Sequence, residues 1–140
     1  MKTPRIAQAV QLAALVLALA LVPVALAAKG GNGKGADPSS INLVMVNDLT
    51  GNGSPSWGDT VTFDVSSTAT SSPYVNLSCD QGGTLVASGD GFFGSGGWGQ
   101  YMTLRSTLWS SGAADCTATA YYFDGKKTVT FATLPFHVDA

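Results

Sequence analysis

The chain has 140 residues, of which 17 are Gly, 45% are hydrophobic and only 11% are charged. Its nine acids are all Asp and outnumber the seven bases, for a formal net charge of −2. A charge-poor, acidic chain without Glu lacks the usual exposed faces of helices and the basic footprint that phosphate contacts need, so a helical bundle and a nucleic-acid partner are both set aside.

Residues 1–27 begin with Lys2 and Arg5, continue as an uncharged apolar run from Leu12, and end on the small-x-small site Ala25-Leu26-Ala27. That order is the pattern of a secretory signal peptide with a short apolar helix. Retention as a membrane anchor is the alternative, because the uncharged stretch approaches spanning length. Cleavage takes Lys2 and Arg5 from the seven bases and none from the nine acids, for a mature net charge of −4. A secreted, extracellular protein with no membrane contact after cleavage is expected. Residues 28–40 follow as a Gly-rich leader with no apolar side chain larger than Ala, which reads as flexible.

From residue 41 to 140 the pattern changes to short runs of period-two alternation between turn signals, which predicts an all-β domain. INLVMVN (41–47) is apolar on both parities, and DTVTFDVSS (59–67) alternates with Val61, Phe63 and Val65 on one face. YVNLSC places Val75, Leu77 and Cys79 together, and TLVAS (84–88) reads as a shorter strand followed by a Gly-rich loop. Met102, Leu104 and Leu108 mark a fifth strand, CTATAYYF a sixth, and residues 128–138 a seventh. The last one changes phase between Phe131 and Leu134, beside Pro135, so a bulge or an edge-strand switch is expected there.

Seven strands at this spacing fit an Ig-like antiparallel β-sandwich. Two cysteines in an exported chain imply one bridge, Cys79 to Cys116, on the third and sixth strands. In an Ig topology those strands are neighbours in one sheet. Antibody domains instead bridge the second strand to the sixth and carry Tyr two residues before the second Cys, where this chain has Ala114.

The blocks WGDTVTFDVSSTAT, YVNLSCDQGG, SGDGFF, WSSGAADCTATAYYF and FHVDA resemble, in order and spacing, a group of small secreted Ig-like β-sandwich proteins of high-GC Gram-positive bacteria. The resemblance implies an exported sandwich with one bridge and no assigned activity. NDLTGNGSPSWGDTVTF is also similar to the first loop of bacterial surface repeat domains, here in a single copy.

Catalytic machinery is sparse. The one His, His137, has apolar neighbours of opposite parity and is expected to face solvent, and no G-x-S-x-G elbow surrounds any Ser. Asp59, Asp80, Asp90 and Asp124 sit beside or near Gly and read as turn formers. A non-enzymatic role is expected. One His and two paired Cys cannot build a zinc site. Calcium needs only oxygen, and Asp48, Asn52 and Asp59 are its candidate ligands.

The segment SGDGFFGSGGWGQY carries Phe92, Phe93, Trp98 and Tyr101, which either present flat faces to a ligand or fold back over the open end of the sandwich. Trp57 and Trp109 are expected at the edge of the core. The sequon Asn76-Leu77-Ser78 falls in a predicted strand and is discounted. The expected function is an extracellular binding or surface-interaction module for a protein, glycan or small ligand. Alternatives are a small-ligand carrier similar to the apoproteins of antibiotic chromoproteins, and a secreted protease inhibitor.

Overall fold

The computed structural model describes residues 38–140; the stretch 1–27 read as a signal peptide, and the expected leader up to residue 37, lie outside the described residues. Seven strands and no helix are found among them: β1 Ser40–Asn47, β2 Thr60–Ser66, β3 Tyr74–Gln81, β4 Thr84–Phe92, β5 Met102–Thr103, β6 Ala114–Asp124 and β7 Lys127–Val138. They form two antiparallel sheets, β1-β2-β5 and β4-β3-β6-β7.

Alternation decides which side of each strand is buried. Val61 and Phe63 of β2, Val75, Leu77 and Cys79 of β3, and Cys116, Ala118 and Ala120 of β6 all point into one apolar core. Phe63 meets Phe93 and Phe136 at centroid distances of 6.1 and 6.5 Å. The hairpin between β3 and β4 turns on Gly82 and Gly83, at φ of 58° and 85°, the two consecutive left-handed positions that a two-residue hairpin turn needs.

Cys79 and Cys116 are direct partners in the β3–β6 register and are joined by a disulfide. Their Cα atoms lie 4.0 Å apart, which marks one of the narrow, non-hydrogen-bonded positions of an antiparallel pair. The bridge is therefore within one sheet, between its two central strands. Closing a loop of 37 sequence steps stabilises the fold by about 4 kcal/mol.

Strand β7 carries a register irregularity opposite Ala120 and Tyr121, with Phe131 as the extra residue between Thr130 and Ala132. The phase change in the sequence is this bulge. Pro135 lies on the sheet's edge strand, where a missing N–H leaves no ladder bond unmade.

Four expectations are corrected. The fifth strand is only Met102–Thr103; Leu104 is buried beyond it, but Leu108 is 77% exposed and belongs to no strand. β4 does not stop at residue 88 but runs to Phe92, so Ser88-Gly89 and Asp90-Gly91 are strand, and Asp90 forms no turn. Asp80 likewise lies within β3. Trp109 is no edge residue: it is fully buried, its indole N–H donates to Gly112 O (2.9 Å), and its own carbonyl accepts from Trp57 Nε1 (3.0 Å).

Candidate functional site

The outer face of the four-stranded sheet is ordered in rows by the strand registers. From β4 across to β7, one row reads Phe92, Tyr74, Tyr121 and Thr130, and the next reads Asp90, Asn76, Thr119 and Thr133. The first row is aromatic. Tyr74 stacks on Tyr121 at 5.5 Å with planes 22° apart, and meets Phe92 at 5.1 Å, Phe123 at 5.4 Å and Trp98 at 6.4 Å. Trp98 and Phe123 are 57% and 56% exposed, so the cluster of five rings opens to solvent.

The second row is polar and oriented. The Tyr121 hydroxyl donates to Asp90 Oδ1 (3.0 Å) and the Asn76 amide donates to Asp90 Oδ2 (3.2 Å). This fixes a carboxylate beside the rings while leaving its remaining lone pairs open. Burial first, and the Asp90 carboxylate second, hold the Tyr121 hydroxyl above the usual tyrosine pKa of 10.0.

The four aromatic candidates separate. Phe92 and Trp98 join the outer cluster, with the Phe92 N–H donating to Trp98 O (2.8 Å). Phe93 turns the other way and packs on Phe63 in the core. Tyr101, 70% exposed, stands apart beside a cleft between β4 and β5. Tyr74, Tyr121 and Phe123 complete the cluster and come from β3 and β6, adjacent in the sheet but far apart in sequence. The sequence did hold a signal for them: once Cys79 is opposite Cys116, Tyr74 and Tyr121 must also be opposite, each five positions from its cysteine.

Loop 48–59 gathers the calcium candidates around backbone donors. Asp48 Oδ1 accepts from the N–H groups of Thr50 and Gly51, and Oδ2 from that of Gly53. These bonds, with that from Gly53 foremost, lower the Asp48 pKa below 3.8. Buried Asp59 accepts from the N–H groups of Leu49 (2.8 Å) and Ser56 (2.8 Å), while Asn52 Oδ1 accepts from that of Ser54. Every one of these side-chain oxygens already carries at least one backbone N–H donor. Among the described residues no group of three His, Cys, Asp or Glu is placed to hold a metal.

His137 faces solvent, with Nδ1 2.7 Å from Asp115 Oδ1. No family model, no curated protein and no solved structure matches the chain.

Proposed function

We propose that the protein is an extracellular, non-enzymatic binding module that holds a polysaccharide on the outer face of its four-stranded sheet. The observation that carries this reading is the five-ring cluster around Tyr74, open to solvent and bordered by the oriented Asp90–Asn76 pair. A pyranose has an apolar C–H face and a rim of hydroxyls. Rings cover the first and carboxylate and amide groups bond the second, so a row of each at adjacent strand positions matches both. An exposed apolar patch rimmed by polar groups is also the usual mark of an interaction surface.

Export is supported by the disulfide and by the leader pattern of residues 1–27. An Ig-like sandwich is supported by the seven strands and their three-plus-four division. Relative to constant-type domains, the fourth strand pairs with the third rather than with the fifth.

The test is retention on insoluble cellulose, chitin and bacterial wall polysaccharide. The protein is expected to be held by at least one of them, and Trp98→Ala and Tyr74→Ala to weaken that retention at least tenfold. Passage through all three, or variants retained as the parent is, would remove the reading.

A further inference from the structure

A second site, on the other side of β4 from the aromatic face, lies between the edges of the two sheets. Segment 99–106 arches away from β4 and touches it at both ends. At one end a Cβ on Gly91 would lie 2.5 Å from the Gly99 carbonyl oxygen, so only glycine permits the two backbones to meet. At the other the Ser106 hydroxyl donates to the Val86 carbonyl. Between these pins is a cavity of about 280 Å³, floored by Leu77 and Met102 and flanked by Ser88, Gly89, Tyr101 and Arg105.

Gly89 makes the cavity. It pairs with buried Leu77 and occupies a half-buried, inward-facing position of β4, between buried Val86 and Gly91. A Cβ built there meets nothing within 4 Å, and its φ is ordinary. Interiors are normally packed to leave no such space, and a glycine inside a strand often marks where a ligand or another backbone comes close. Gly91 is the second case. Gly89, with no atom within 4 Å of where its Cβ would stand, is left for the first.

The polar groups of the cleft define the chemistry. β4 pairs only with β3, and the Phe92 N–H points away from β3 to reach Trp98 O. With period two, the N–H and C=O of Ser88 also point away from β3, toward the cleft, and neither has a backbone partner among the described residues. Together they match one amide group. Arg105 has no carboxylate within salt-bridge distance among the described residues. Asp90 also lines the cleft, but both its carboxylate oxygens accept bonds from Tyr121 and Asn76 on the outer face, which turns its charge to that side.

We propose that this cleft binds a small N-acylated amino acid or similar amide-bearing carboxylate. Its amide pairs with the Ser88 backbone, its apolar side chain fills the space left by Gly89 against Leu77 and Met102, and its carboxylate meets Arg105. The two pinned ends exclude a continuous peptide strand running along β4.

The experiment is calorimetric or NMR titration with N-acetyl-leucine and, separately, N-acetyl-leucine amide. The acid is expected to bind at millimolar concentration or tighter, and the amide at least tenfold more weakly. Arg105→Gln, at an exposed position, should remove that difference. Gly89→Leu should abolish binding of the acid while the melting temperature stays level or rises, because the new side chain occupies the ligand's space. Trp98→Ala should bind the acid as the parent does. No binding of the acid, equal binding of acid and amide, or a Gly89→Leu protein that binds normally or melts lower would each overturn the proposal.

Discussion

Strands β3 and β6 turn Val75, Cys79, Cys116, Ala118 and Ala120 inward, and Tyr74, Asn76, Thr119, Tyr121 and Phe123 outward. Three of the largest side chains of this central pair, Tyr74, Tyr121 and Phe123, are outside, whereas Ala118 and Ala120 are inside. Burial energetics alone would arrange them the other way, since a ring removes far more apolar area from water than Ala does. Inside, the space over these small residues is taken by Phe63, Phe93 and Phe136, and the disulfide occupies a narrow pair position. The core is therefore closed without the outer rings. Their exposed apolar surface is the part of the molecule that the proposed glycan contact would cover.

If the two faces are separable, breaking the inner one should remove stability and leave binding. Cys79→Ala with Cys116→Ala has the largest expected effect, a loss of about 4 kcal/mol in denaturant titration. Polysaccharide retention measured where the variant is still folded should be unchanged. Loss of both together would mean that the inner bridge also sets the outer rows.

Two carboxylates extend the same contrast. Asp59→Ala leaves the buried Ser56 N–H and the part-buried Leu49 N–H without their acceptor and should cost about 2–3 kcal/mol. Asp90→Ala also removes the acceptor of two bonds, but the Tyr121 hydroxyl and Asn76 amide can turn to water, so about 1 kcal/mol or less is expected. Parallel denaturation curves for the two variants check the order. Tyr74→Ala should cost about 1–2 kcal/mol in stability and at least tenfold in retention, the reverse balance from the cysteine pair.

These faces were unequally legible in the sequence. Alternation in YVNLSC and CTATAYYF identified the strands and the bridge, because period two is local and two cysteines allow only one pairing. The aromatic cluster was half visible: Phe92 and Trp98 stand close in sequence, whereas Tyr74 and Tyr121 meet only through a non-local register. Gly89 and Gly91 were misleading for a physical reason. Glycines usually interrupt strands, and these two are tolerated in β4 because one faces open space and the other meets the Gly99 backbone. Trp109 was misjudged because its burial depends on a fold-back from Ser106 to Gly112, held by the Ser106 hydroxyl and the indole N–H, which no periodicity announces.

The smallest expected effect lies in the Tyr121 proton. Its hydroxyl is held above 10.0, first by burial and then by the bond to Asp90, so folding favours the protonated form. The associated stabilisation is fully present below pH 10 and is lost as pH rises past 10 through the raised folded value. Tyr121→Phe has no such proton. The stability gap between parent and variant should therefore be constant from neutral pH to about pH 9 and narrow above 10, by less than about 1 kcal/mol because the bond is solvent-exposed. Urea titrations of both proteins across that range read the gap directly. A gap that stays flat well above pH 10 would show that Asp90 is not held by Tyr121 in solution. The polar row would then hold its carboxylate through the Asn76 amide alone, and the orientation beside the rings that a glycan rim requires would rest on that single bond.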